Sequence, residues 1–161
     1  MKCLTVCEPF ASALIYGGKP IENRKRPLGH VGPLLIHAGK SLAWFEPETV
    51  AWLHERWPDC PSNPIAAMHK FKANMGKVIG MVWAGRGCWF NAGHMPGWWT
   101  DRHAEWGTGP YCIPCMGPTR VAPFDVRGQQ GVFVVPALQL TDSVIQAADD
   151  LMQLATERGW E

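Results

Sequence analysis

The order of the apolar segments along the chain constrains its fold more than any other feature. Patterns typical of strands occur at residues 2–6, 21–26, 34–36 and 78–83, and helical patterns lie between and after them without regular alternation. A doubly wound parallel sheet requires strands and helices to alternate strictly, so that fold class is excluded. The sequence therefore predicts an α+β fold with a mostly β core that closes into a small barrel.

Several helices are bounded by residues that favour helix starts and ends. Pro47 opens one helix, and residues 65–75 predict another. The last helix is predicted from about Asp142 to Arg158, with Thr141 to cap its start and Gly159 to end it. Apolar residues recur along that segment at helical spacing. They are Val144, Ala148, Leu151 and Ala155.

Two late segments have less regular patterns. Residues 120–127 and 132–135 predict strands, and Gly128-Gln129-Gln130-Gly131 predicts a turn between them. Residues 91–118 are rich in Gly, Pro and Trp and predict a long excursion, with a strand resuming near Tyr111. Tryptophans in and beside the excursion can pack it, stack on bases or form a protein-binding surface. These are Trp89, Trp98, Trp99 and Trp106.

The composition is that of a globular protein with little net charge. The chain has 161 residues, which fits a single domain, and 47% of them are hydrophobic. No apolar run approaches the roughly 20 residues of a membrane helix, and the N-terminus lacks a signal-peptide pattern, so we expect a cytoplasmic protein without a membrane partner. A net charge of +1 is weak for binding long nucleic acid through many phosphates. It allows a local basic patch or a pocket for one nucleotide.

The cysteines are compatible with free thiols or with a metal site. The chain is too long and too rich in core residues for a disulfide-stapled mini-domain, so we expect free thiols. Cys112 and Cys115 have the spacing of a zinc knuckle, but a full site needs two more ligands. The candidates are Cys88, His94 and His103. A single pair is weak evidence, and we favour neither a metal nor another cofactor.

The segment of residues 17–24 combines two glycines with closely spaced charges. The glycines end a short helix, and from Ile21 onward an exposed strand should place Glu22 and Arg24 on one face, with Lys19 at the mouth of the turn. A carboxylate accepts from a base amino group, and Arg holds a phosphate or stacks on a base. From spacing alone, a solvated face with a weak surface ion pair is the stronger interpretation.

This segment is one of several motifs that occur in a defined order. Gly18-Lys19 and Glu22-Asn23-Arg24 are flanked by Glu8-Pro9-Phe10-Ala11, Gly32-Pro33-Leu34-Leu35-Ile36-His37-Ala38, Pro47-Glu48, Val78-Ile79-Gly80 and Arg127-Gly128-Gln129-Gln130-Gly131-Val132-Phe133. Their order and spacing resemble the ASCH family, the activating-signal-cointegrator homology branch of the PUA-like fold. The resemblance covers residues 1–90 and 110–136.

The resemblance implies a PUA-like fold, a small β-barrel flanked by helices, as one domain over residues 1–161. Residues at about 91–110 would be an insertion in that domain. It also implies that RNA, single-stranded DNA or a modified nucleobase binds in a cleft beside the first helix. The implied binding residues are Lys19, Glu22, Arg24, Glu8, Phe10, Arg127, Gln129 and Gln130. Glu8 and Phe10 replace the Gln and Trp that the family usually has.

Some ASCH-like proteins are enzymes, so the resemblance leaves hydrolysis open. One branch looks like amidohydrolases of N4-acetylcytidine that use a Lys, a Thr three residues later and a Glu on a central strand. Lys19 fits, whereas Glu22 stands at the Thr position and the strand at residues 80–82 offers no carboxylate. Others are similar to metal-independent ribonucleases, for which Lys19, Arg24 and Tyr111 would stabilise a charged phosphate. We expect binding rather than catalysis. In the alternative of a hydrolase, Lys19 and Glu22 would be the catalytic pair.

Overall fold

The computed structural model describes residues 1–90 and 95–160, which form a seven-stranded sheet with flanking helices. The strands are β1 (Lys2–Cys7), β2 (Ile21–Arg24), β3 (Gly32–Gly39), β4 (Lys77–Ala84), β5 (Cys88–Trp89), β6 (Tyr111–Asp125) and β7 (Val132–Val134). The helices are α1 (Phe10–Tyr16), α2 (Pro47–Arg56), α3 (Pro64–Lys72), α4 (Asp101–Trp106) and α5 (Asp142–Arg158), and a 3-10 turn spans Ala137–Gln139.

The sheet is a barrel that stays open on one side. Its strands follow the order β2-β6-β4-β3-β1-β7, with β5 beside β6. β1 and β3 pair in parallel, and the other pairs are antiparallel. Arg24 of β2 and Val132 of β7 line the same cavity. The two terminal strands of the sheet therefore curl toward each other. The predicted α+β fold with a mostly β core is confirmed.

The core follows from the alternation of side chains across each strand. Leu34 and Ile36 of β3 face the concave side, where they pack with Leu14 of α1. Leu35 faces the opposite side, where it packs with Leu151 of α5. A third cluster joins α1, α2 and α3. The sheet is therefore covered on both faces, which removes the apolar side chains of both faces from water.

The last helix lies where the sequence predicts it. α5 spans Asp142–Arg158, and Gly159 ends it in the left-handed conformation with φ of 64°. Thr141 occupies the N-terminal cap position, but its hydroxyl bonds Ser143 Oγ at 2.9 Å and does not cap the helix. The residues that α5 buries are Val144, Ala148, Leu151 and Ala155. No helix of the described residues is both long and apolar enough to cross a bilayer.

One prediction about the segments beside the site was wrong. The strand at 21–26 is shorter than expected and is not exposed, since β2 ends at Arg24 and buries Ile21 and Glu22. The predicted excursion contains α4, and the strand expected to resume near Tyr111 is β6, which begins at that residue. Hydrogen bonds between residues far apart in sequence hold β2 and the excursion together. Asn23 of β2 accepts from the backbone N–H groups of Thr108 and Gly109 and donates to the carbonyl of Trp106.

The turn predicted at Gly128 to Gly131 has a different role from the one expected. It connects β6 to β7, but these strands are not neighbours, because β7 pairs with β1. The segment therefore crosses the open side of the barrel instead of closing a hairpin. This places Gln129 and Gln130 beside β1, where they line the opening together with Thr5.

Gly80 of β4 allows α1 to pack directly on the sheet. A Cβ at this position would lie 2.6 Å from Cδ1 and 2.8 Å from Cγ1 of Ile15, which is buried. Gly80→Ala should therefore lower the free energy of unfolding by about 1–3 kcal/mol, which is the usual effect of overpacking a core. Urea denaturation would measure this change. Gly97→Ala is the matched control, because no described atom lies within 4 Å of a Cβ there. An unchanged midpoint for Gly80→Ala would contradict the packing of α1 on β4.

Candidate functional site

Lys19 lies at the floor of a cavity of about 240 Å³ between α1 and β2. α1 ends at Tyr16, and Gly18 takes φ of 67°, a conformation that glycine adopts without strain. This tight turn directs the chain into β2 and brings Lys19 and Glu22 to one place. We call this space the Lys19 cavity. It is lined by Val6, Cys7, Phe10, Lys19, Glu22, Asn23, Arg24, Trp44 and Thr108.

Three charged side chains form a cluster in the Lys19 cavity. Lys19 Nζ donates to the carbonyl of Ile21 and lies 3.4 Å from Glu22 Oε2. Glu22 Oε1 lies 3.7 Å from Arg24 Nη1. Lys19 and Glu22 are only 3% and 6% exposed, so Lys19 lies at the floor and not at the predicted mouth. With two cations and one carboxylate, the cluster keeps a positive charge that Arg24 carries toward solvent.

Aromatic rings form one wall of the Lys19 cavity. The rings of Phe10 and Trp44 meet edge to face with centroids 5.6 Å apart, and Lys19 Nζ lies 5.9 Å from the Phe10 centroid. Trp44 is 47% exposed although its ring is large and mostly apolar. Trp44 carries no signal in the sequence, because it lies in the irregular connection between β3 and α2, where no periodicity assigns a face.

A larger cavity of about 790 Å³ occupies the open side of the barrel. We call it the central cavity. β7 pairs with only Lys2, Cys3 and Leu4 of β1, so the rest of that edge of β1 faces the cavity. It shares Cys7, Asn23 and Arg24 with the Lys19 cavity. The lining residues are Thr5, Cys7, Asn23, Arg24, Lys25, Arg26, Pro27, Leu28, Gln129, Gln130, Gly131 and Val132.

A third cavity of about 440 Å³ continues from the central one. We call it the Arg127 cavity. The two share Thr5, Gln129 and Gln130, so the three cavities form one groove. Arg127, Gln129 and Gln130 therefore belong to the same groove as Lys19 without lining the Lys19 cavity. The lining residues are Thr5, His37, Gly39, Lys40, Gly76, Val126, Arg127, Gly128, Gln129 and Gln130.

Glu8 does not line the groove, which corrects the expectation from the resemblance. Its side chain is fully buried beneath α1. The carboxylate accepts from Ser12 Oγ at 2.7 Å and from the Ser12 backbone N–H at 3.1 Å, and Asn74 donates to Ser12 Oγ. Glu8 thus satisfies a donor in the first turns of α1, where negative charge is favourable.

Tyr111 is also absent from the Lys19 cavity. It pairs with Arg24 in the β2–β6 register, but its hydroxyl donates to the carbonyl of Gly87 at 2.9 Å. Its ring packs edge to face against Trp89 with centroids 5.1 Å apart. The trio of Lys19, Arg24 and Tyr111 expected for a ribonuclease is therefore not assembled around one cavity.

The cysteine pair does not form a joint ligand set. Cys112 packs among the helices, whereas Cys115 faces the concave cluster, as expected for residues three apart on a strand. Burial raises the pKa of Cys112 to about 11 and that of Cys115 to about 12. Both are therefore thiols at neutral pH. The candidate His94 lies outside the described residues.

The remaining candidates of the cysteine and tryptophan predictions have structural contacts. Within residues 1–90 and 95–160, no three His, Cys, Asp or Glu side chains are grouped for a metal. His103 bonds the N-terminal cap residue of α4, Thr100, through Nδ1. Trp98 and Trp99 pack on each other with centroids 5.6 Å apart. These contacts agree with packing of the excursion.

Comparison with known proteins gives matches among solved structures. No protein-family model and no curated protein matches the chain. Among solved structures it is similar to a mutant ZmASCH from Zymomonas mobilis, with 14% identity, a TM-score of 0.45, and coverage of 93% of this chain and 96% of that one. For a second mutant the identity is 14% and the TM-score 0.45, with coverage of 95% of this chain and 94% of that one. For the structure named ASCH, from the same organism, the identity is 14% and the TM-score 0.44, with coverage of 93% and 94%.

These structures are ASCH proteins, the family that the motifs of this chain resemble. The resemblance of this chain to the family is carried by the order of its sequence motifs.

The buried carboxyl of Glu8 should give the protein a measurable pH dependence of stability. Burial raises the pKa of Glu8 from 4.5 to about 7, against the hydrogen bonds from Ser12. The folded chain then binds this proton more tightly than the unfolded chain, so the free energy of unfolding falls as the pH rises from 4.5 to 7. Between these pH values the free energy of unfolding should fall by an amount on the order of 3 kcal/mol, and Glu8→Gln should abolish this fall. Urea denaturation across the range would measure it.

The matched control is Glu48→Gln, because Glu48 is an exposed carboxyl in the first turn of α2. This variant should keep the pH dependence of the unaltered protein. If Glu8→Gln retained that dependence as well, the buried carboxyl would not be its source.

Proposed function

We propose that this protein binds single-stranded RNA or DNA, or a modified nucleobase, with one base in the Lys19 cavity. The observation that carries the proposal is the buried Lys19–Glu22 pair, linked to Arg24 and flanked by the exposed ring of Trp44. Desolvated charges cost free energy unless they are paired. A buried pair of this kind adds little to the stability of the fold, but beside the exposed ring of Trp44 it offers charged groups to a ligand.

The cluster retains donors and acceptors that a base can use. The ammonium of Lys19 has three N–H groups, and its described hydrogen bonds go to the Ile21 carbonyl and Glu22. The carboxylate of Glu22 has further lone pairs besides those facing Lys19 and Arg24. A base that donates from an amino group and accepts at a ring nitrogen or carbonyl complements this pattern.

The surroundings of the cluster suit a single strand. Phe10 and Trp44 offer ring surface on which a base can stack, and stacking tolerates every base. Arg24, Lys25 and Arg26 line the adjoining central cavity, where phosphates of the same strand would lie. A base reaches a cavity of this kind only when it is unstacked and unpaired, which disfavours an intact duplex.

Removal of the two cations should abolish most of the binding. We expect Lys19→Met with Arg24→Ala to weaken the binding of a fluorescein-labelled oligonucleotide at least tenfold in anisotropy titrations, since a hydrogen bond to a charged group contributes about 1.5–3 kcal/mol. Met at position 19 retains most of the buried apolar volume of the lysine methylene groups. Lys72→Met with Arg158→Ala makes the same change of charge on α3 and α5, outside the groove lining. Equal affinities for both variants, each folded by circular dichroism, would overturn the proposal.

Trp44 should contribute stacking energy. We expect Trp44→Ala to weaken binding by about 1–3 kcal/mol, the range found for base–aromatic stacking. Trp89→Ala is the matched control, because Trp89 is 56% exposed but does not line the Lys19 cavity. Isothermal titration calorimetry of both variants would measure the loss of binding free energy for each. A loss for Trp89→Ala as large as that for Trp44→Ala would contradict a base beside Trp44.

The alternative of a hydrolase has less support. Glu22 is the carboxylate beside Lys19, and both are already engaged with each other. The strand segment Gly80-Met81-Val82 is buried and carries no carboxylate that would complete the amidohydrolase set. Turnover of N4-acetylcytidine or of RNA by the purified protein, lost in Glu22→Gln, would replace binding with catalysis. The further alternative of protein binding through the excursion has less support still, because Trp98 and Trp99 pack on each other.

A further inference from the structure

We propose that Lys40 and Arg127 form a second phosphate site at the far end of the groove, so that the ligand is an oligonucleotide that spans the groove. A free nucleoside or mononucleotide would occupy the Lys19 cavity alone. This inference rests on the proposed function and specifies the class of ligand. Lys40 belongs to no motif of the sequence, and the fold alone brings it to the cavity that Arg127 lines.

The positive charge in the Arg127 cavity is not balanced by nearby carboxylates. Lys40 and Arg127 line the cavity, and no Asp or Glu of the described residues lines it or the central cavity. Among the ion pairs within residues 1–90 and 95–160, none involves Lys40 or Arg127. The whole chain has a net charge of +1, so the groove concentrates cations that acidic residues elsewhere offset. Such a surplus attracts phosphates.

Lys40 is held in place by its stem. It follows Gly39 at the end of β3 and packs its methylene groups against Gly76, where a Cβ would overlap Lys40 Cε. Gly76 has φ of 82°, and its N–H donates to the Ala38 carbonyl at 2.7 Å. A side chain whose stem is already ordered loses less entropy when its ammonium binds a ligand.

The segment that carries Arg127 is held against β1 and β3. A Cβ on Gly128 would lie 2.8 Å from His37 Nδ1 and 3.1 Å from Thr5 Oγ1, so this close approach requires glycine. Thr5 Oγ1 and His37 Nδ1 are themselves 3.2 Å apart. The contact fixes where Arg127 and the following glutamines cross the open side of the barrel.

His37 lines the Arg127 cavity with a buried ring. It is 3% exposed, and its Nε2 has no hydrogen-bond partner among the described residues. An unsatisfied buried polar group costs about 1–3 kcal/mol. Burial lowers the pKa of His37, and the charge of Lys40 lowers it further. An anion beside Lys40 would offset the charge that opposes protonation of His37.

The continuity of the groove connects the two ends. The central cavity shares lining residues with the Lys19 cavity on one side and with the Arg127 cavity on the other. A strand with its base beside Trp44 can therefore pass Arg24 and Gln129 and reach Lys40 without leaving the groove. Neutralising two phosphates of a single strand at that end adds about 1.4 to the steepness with which log K falls with log salt concentration.

The test is a length series measured by competition. Unlabelled mono-, di-, tetra- and octanucleotides of RNA and of DNA displace a labelled octanucleotide from the full chain at several salt concentrations. We expect Lys40→Ala with Arg127→Ala to weaken the octanucleotide roughly ten- to hundredfold and to lower its salt slope by about 1.4. The mononucleotide should bind this variant as it binds the unaltered protein. Lys72→Ala with Arg158→Ala is the control of equal charge.

The failures of the two proposals are distinguishable. Equal affinity of mono- and octanucleotides, with no effect of Lys40→Ala and Arg127→Ala on either, would overturn this inference and leave the proposed function standing. Absence of binding at every length would overturn both. A second readout is the ring resonance of His37 in NMR spectra, which the octanucleotide should shift and the mononucleotide should not. A shift of equal size with both ligands would also overturn the inference.

Discussion

The buried contact between Lys19 and Glu22 is the constraint on which the rest of the site depends. A charge pair in an apolar setting is stable only when both partners are held in position, because loss of either leaves an unpaired buried charge. The turn at Gly18 positions Lys19, and β2 positions Glu22. The hydrogen bonds of Asn23 then draw residues 106–109 over the same strand. The site therefore requires the helix end, the edge strand and the excursion together.

The groove exists because the sheet does not close. An open barrel exposes strand edges, which proteins protect by keeping them short or covered. Here β2 and β7 are short, and the segment of residues 126–131 crosses the opening between them. Lys25 and Arg26 directly after β2 place charge at the same edge. The features that protect these edges from pairing with another chain thus also place basic side chains along the groove.

Periodicity and glycine placement predicted the elements, but not their neighbours across the barrel. The apolar spacing of α5 predicted its bounds and its buried face, because both depend on residues within one helix. Glu8 looked like a cleft residue from its motif, yet its carboxylate lies behind α1 on Ser12. Trp44 and Lys40 carried no local signal, since each belongs to an irregular connection. Their positions follow from strand order and curvature, which a single sequence does not display.

The two ends of the groove differ in the kind of free energy they offer to a ligand. At the Lys19 end the charges are desolvated, so their hydrogen bonds are strong, directional and weakly screened by salt. At the Lys40 end the cations are exposed, so their attraction is less directional and declines with ionic strength. Discrimination among bases therefore belongs to the buried end, and the dependence of affinity on strand length belongs to the exposed end. The contact of Lys40 with Gly76 and the contact of Gly128 with His37 and Thr5 hold the cations of the exposed end in position.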